Sequence, residues 1–164
     1  MPCAAMPMTA QRRRAETWFV WTNLALAVAA VLTPTAHVLE LPNKLALPGE
    51  LWLAVQQQLY RGWGPVLGAP TELGALATSG VLAIRHRSSA AARLFLAACL
   101  GYLGMLAAFF LLNAPVNAAL SSWVPVTLPA DWARYRLRWE VGHAAAAVLA
   151  WISLAALVRA RTRV

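Results

Sequence analysis

LFLAACLGYLGMLAAFFLL, residues Leu94 to Leu112, carries no charged side chain anywhere along its length. Wound as a helix, about 20 such residues cover the hydrocarbon thickness of a bilayer. Three further stretches have the same character: Trp18 to Leu39, Val66 to Ile84 and Val141 to Val158. Backbone N–H and C=O groups find no water in hydrocarbon, so a chain of this kind satisfies them within helices. The expected fold is all-α: a single domain over residues 1–164, built as an antiparallel bundle of four transmembrane helices.

Composition supports this. Of 164 residues, 60% are hydrophobic and 12% charged, well away from the balance of a soluble domain. The net charge of +8 would point to nucleic acid in a soluble protein. Here the positive residues flank apolar runs and form no groove interleaved with aromatics, so no nucleic acid partner is expected. Arg12, Arg13 and Arg14 precede the first run, Arg85, Arg87 and Arg93 fill the tight connection between the second and third, and Arg159, Arg161 and Arg163 follow the fourth. All nine share one side, which the positive-inside bias makes cytoplasmic. Both termini then face the cytoplasm, and the longer connections, Glu40 to Pro65 and Asn113 to Glu140, face outward. A secretory signal is the rival reading of the first run, but the run is long for one and Pro34 stands where a small residue is wanted.

Met1 to Gln11 reads as an irregular tail. Glu50 to Tyr60, with Leu51 or Trp52, Val55 and Leu59 at helical spacing, reads as a short amphipathic helix on the outer membrane surface. Asp131 is placed to cap the helix that runs through Trp139 into the last span. Cys3 and Cys99 are too far apart in kind and place to form a disulfide framework or a metal motif, and Cys99 reads as packing. His86, in the tight connection, reads as a solvated loop residue.

Polar residues gather at the outer end. His37, Glu40 and Lys44 stand at i, i+3 and i+7, one helical face if Pro42 does not interrupt it. Arg136, Glu140 and His143 form a similar face on the fourth span. Asn113 and Asn117 sit at the end of the third span, and Glu72 lies in the outer half of the second. Singly, each is ordinary helix-end polarity; jointly, they describe a pocket open to the outer leaflet. Such a pocket suits acid–base chemistry, with a histidine taking a proton, a glutamate orienting the ring and an arginine stabilising negative charge. It also suits a haem held by His37 and His143, although no dense ligand motif supports a metal.

Four short motifs, His37-Val-Leu-Glu40-Leu-Pro42-Asn-Lys44, Tyr60-Arg61-Gly62-Trp63, Asn113-Ala-Pro115-Val-Asn117 and Arg138-Trp139-Glu140-x-x-His143, together resemble the anthrone oxygenase-like family of small four-helix membrane proteins. The resemblance covers roughly Trp18 to Val158. It implies oxidation of a lipophilic aromatic compound by dioxygen without metal or flavin. On that basis His143, with His37, Glu140 and Arg138, is the catalytic set, and His143 is the first choice for base. Asn113, Asn117 and Arg138 would hold an enolate oxygen, and Glu40, Lys44, Glu72 and Trp139 would line the substrate site. Two other classes remain open: a non-catalytic binder of a lipophilic ligand, quinone or haem, and a small membrane subunit or assembly factor. In the last class the protein would form a homo-oligomer or dock a membrane partner through Trp52 and Trp63.

Overall fold

The computed structural model describes residues 10–163. Cys3 and most of the expected tail lie outside the described residues, while Ala10 and Gln11 are already helical. The chain is 86% helix, with no strand among the described residues. In chain order the helices are α1 (Ala10–Leu39), α2 (Leu41–Ala46), α3 (Gly49–Ala54), α4 (Ala69–Arg85), α5 (Ala91–Ala108), α6 (Ala114–Leu120) and α7 (Trp132–Arg161). Three single π-helical turns join or extend them, at Val55–Leu59, Gly64–Gly68 and Phe109–Asn113.

Four continuous helical stretches are long and apolar enough to cross a membrane: Arg13–Ala46, Gly64–Arg85, Ala91–Leu120 and Trp132–Arg161, with mean hydropathies of 1.7, 1.3, 2.3 and 2.0. They overrun the apolar runs at several ends. Asn113 to Asn117 was expected to open a loop, but it lies inside a helix that continues to Leu120. Pro115 is tolerated there because the π-turn just before it already breaks the regular bonding, and because the Leu111 carbonyl, four residues back, receives Arg138 Nη2 at 2.6 Å. Asp131 does precede α7, yet its side chain makes no capping bond.

The four long helices form a ring in which α1 and α5 each pack chiefly on α4 and α7. Glu16, near the start of α1, meets Arg85 and His86 at the end of α4, and Trp21 carries Arg161 from the end of α7. At the other end, His37 of α1 touches His143 of α7. Small residues let α5 and α7 approach closely: a Cβ added at Gly101 would run into Ser153 and lie 3.2 Å from the Leu149 carbonyl. Between α1 and α4 the seam is polar, with buried Asn23 donating to Thr78 Oγ1 (2.8 Å) and Ser79 Oγ (2.9 Å). Large apolar side chains point outward instead, among them Leu39, Val66, Phe110, Leu111 and Ile84, each at least 65% exposed. A water-facing protein hides such a surface; a lipid-facing one presents it.

The segment expected to lie on the membrane surface is split into α3 and a π-turn, and it turns apolar residues into the protein. Trp52 and Leu53 are fully buried with Val116, Leu120 and Trp139, while Leu51 and Leu59 stay exposed. Gln57 Nε2 donates to the Leu120 and Trp123 carbonyls (2.8 and 2.9 Å), closing the end of α6. Trp52 is therefore core, and the expectation that it anchors a partner is corrected. His86 is corrected as well: its Nε2 lies 2.9 Å from Glu16 Oε1 and its ring rests against Phe95.

Candidate functional site

Pro42 does not interrupt the helical face. The chain makes a single turn at Glu40, where Glu40 N–H bonds the Ala36 carbonyl and Lys44 N–H bonds the Glu40 carbonyl, both at 3.0 Å. Pro42 sits in the first turn of α2, where its missing N–H costs nothing. His37, Glu40 and Lys44 consequently share one face, and α7 brings Trp139, Glu140 and His143 against it.

At the centre is the Lys44 ammonium, 3% exposed. It donates to Glu140 Oε2 at 2.9 Å, stands 3.5 Å from His37 Nδ1 and 4.0 Å from Glu40 Oε2, and faces the Trp139 ring at 4.9 Å. A buried cation needs such partners, since stripping its water costs several kcal/mol, of the order of a strong ion pair. Lys44 thus sits between two carboxylates and an imidazole. Arg136 Nη1 supports it from behind, donating to the Lys44 and Leu47 carbonyls at 3.1 and 3.0 Å and so tying α2 to α7.

The His37 and His143 rings meet edge to face, with centroids 4.2 Å apart. That contact leaves no room for a porphyrin between them, so the pair does not fit axial ligation of one haem. Among the described residues no group of three His, Cys, Asp or Glu side chains converges in a metal-binding arrangement. His143 Nδ1 faces a donor, Asn113 Nδ2 at 2.7 Å, and an acceptor, the Trp139 carbonyl at 3.0 Å. Either neutral tautomer keeps a partner on Nδ1, and Nε2 makes no hydrogen bond among the described residues.

Asn113 ends the π-turn Phe109–Asn113 and is itself buried, donating also to the Trp139 carbonyl at 2.8 Å. It fits against bare backbone at Gly142, where any Cβ would collide with its amide. Asn117 Oδ1 accepts from the Trp139 indole at 2.9 Å. Both asparagines thus bond α7, Asn113 from a buried position and Asn117 from an exposed one. Arg138 is exposed, and its guanidinium serves the Leu111 carbonyl. Glu72 bonds none of these groups; among the described residues its Oε1 is buried without a partner, as is the hydroxyl of fully buried Tyr102 on α5.

Two residues left out of the sequence-based site set belong to it. Tyr60 donates to Glu40 Oε2 and sets its ring 4.6 Å from His37, and Trp63 lies 6.1 Å from the same imidazole. Burial, and then the bond to Glu40, push the Tyr60 phenol above its ordinary range, so it stays a donor. The turn that brings both rings onto His37 depends on Gly62, the one described residue with positive φ (88°). The Tyr-Arg-Gly-Trp motif was the available signal for this pair.

The site is packed rather than hollow. His37, Lys44, Asn113 and Glu140 are each at most 5% exposed, and the half-open side is the edge formed by Glu40, Tyr60 and Trp63. No protein-family model, curated protein or solved structure matches this chain.

Proposed function

We propose that this chain is an integral membrane protein, an antiparallel four-helix bundle with both termini cytoplasmic, whose exoplasmic end carries a cofactor-independent oxygenase site of the anthrone oxygenase type. In this reading α2, α3 and the turn at Gly62 form a cap at the outer surface. The substrate is a lipophilic tricyclic ketone with an acidified methylene group, with or without ring hydroxyls, reaching the site from the lipid past Tyr60 and Trp63.

The observation that carries the reading is a pair of histidines in contact, from two different spans, beside a buried ammonium. His143 Nε2 removes a proton from the methylene carbon. Lys44 stabilises the negative charge as it delocalises through the rings onto the carbonyl oxygen, the task sequence reasoning gave to Asn113, Asn117 and Arg138. Glu140 Oε1, buried and without a partner among the described residues, offers an acceptor to a substrate hydroxyl. The carbanion passes one electron to dioxygen, the two radicals combine as a peroxide anion, the His143 imidazolium returns its proton to give the hydroperoxide, and loss of water leaves a carbonyl. Each turnover thus converts one methylene and one O₂ into one carbonyl and one water.

The test is oxygen uptake by the purified protein in mild detergent, with anthrone as substrate and a metal chelator present. One O₂ consumed per anthraquinone formed, at a rate proportional to protein, is expected. Uptake no faster than in the detergent blank would overturn the oxygenase reading. It would leave the bundle as a binder or subunit, which the dense packing of the site would then favour.

A further inference from the structure

At the opposite end of the bundle from His37 and His143, a cleft of about 350 Å³ lies between α1, α7 and the α4–α5 turn, lined by Arg13, Glu16, Val20, Trp21, His86 and Arg161. Its charges are unevenly satisfied. Glu16 is shared by Arg85 Nη1 at 3.1 Å and His86 Nε2 at 2.9 Å. Arg13 and Arg161 meet no carboxylate among the described residues, and the Arg161 guanidinium instead lies 4.2 Å over the Trp21 ring. Stacking on an indole fixes the plane of a guanidinium and leaves its N–H edge free for an anion.

The cleft continues into a second depression. A shallow groove of about 800 Å³ runs along α1 from Arg13 and Arg14 past Trp18, Trp21 and Thr22 to Ala25. The two hollows share Arg13 and Trp21, so a basic cup opens directly onto a wall that turns apolar with depth. Trp18 and Trp21 are 74% and 48% exposed, which suits the headgroup level of a bilayer. An inorganic anion would use only the cup; an amphiphile with an anionic head would use both hollows.

We infer that this end of the bundle is a binding site for an anionic phospholipid, its phosphodiester held between Arg13 and Arg161 and one acyl chain laid along Trp18 and Trp21. Basic pockets between spans on the cytoplasmic side are where such headgroups are held. The inference rests on the bundle crossing a bilayer and is independent of any chemistry at the histidines.

The test is quenching of tryptophan fluorescence by brominated lipids in mixed micelles of the full-length protein. Brominated phosphatidylglycerol is expected to quench at a mole fraction about 5-fold or more below that needed for brominated phosphatidylcholine. The difference should shrink in Arg161→Gln and vanish in Arg13→Gln/Arg161→Gln. Equal quenching by the two lipids in the wild-type protein would overturn the inference, whether or not the variants fold. Abolition of the difference by millimolar inorganic phosphate would also overturn it, by assigning the cup to a free anion.

Discussion

Replacing Lys44 with alanine is expected to destabilise the folded protein by about 3–5 kcal/mol, the usual cost of stranding one member of a buried ion pair. Both side chains of the Lys44–Glu140 pair are 4% exposed, and the 2.9 Å bond is the shortest that Lys44 makes. With the ammonium gone, buried Glu140 is left with neither oxygen paired, since among the described residues its Oε1 has no partner to begin with. At about 2–4 °C of melting temperature per kcal/mol for a chain of this size, thermal unfolding in detergent should fall by roughly 10 °C. The double substitution Lys44→Met/Glu140→Leu removes both charges and is expected to recover most of the loss, as apolar replacements of whole buried pairs do. A double variant as unstable as Lys44→Ala would show that the pair itself is not what holds α2 against α7.

His143→Ala is expected to lower oxygen uptake on anthrone by about 10²–10⁴-fold, the usual contribution of a positioned general base. The unfolding temperature should change far less than in Lys44→Ala, because the ring is half-buried and its removal strands no charge. Asn113→Ala provides the contrast. It takes away the donor 2.7 Å from His143 Nδ1 and also the bond to the Trp139 carbonyl, so it should reduce both rate and stability by intermediate amounts. Unchanged uptake in His143→Ala, with the bundle intact, would remove this residue from the proposed mechanism.

Local periodicity carried much of this arrangement. His37, Glu40 and Lys44 were readable as one face because a proline in the first turn of a helix leaves the bonding pattern intact, and Glu140 with His143 followed the same spacing on α7. The apolar runs located the spans, though not their ends. At Asn113 the polar side chain and Pro115 imitate a loop, whereas a π-turn and the guanidinium of Arg138 keep the chain helical. Burial direction was the other illegible quantity. Trp52 and Leu59 look alike in a helical pattern, yet one is fully buried and the other 61% exposed, because only Trp52 finds Val116, Leu120 and Trp139 opposite it. The bonds that Asn117 and Arg138 make to neighbouring helices were illegible for a related reason. Sequence shows that a polar group is present, but not that a neighbouring helix has already engaged it.

Membrane placement underlies every functional statement above, and it is tested most directly by thiol accessibility in intact cells. With Cys3 and Cys99 replaced by serine, Ser122→Cys in the loop after α6 and Ser88→Cys in the α4–α5 turn would each be exposed to a membrane-impermeant maleimide. The account predicts that position 122 is labelled from outside and position 88 only after the cells are opened. Labelling of position 88 in intact cells, with position 122 protected, would place the histidine cluster in the cytoplasm and contradict it.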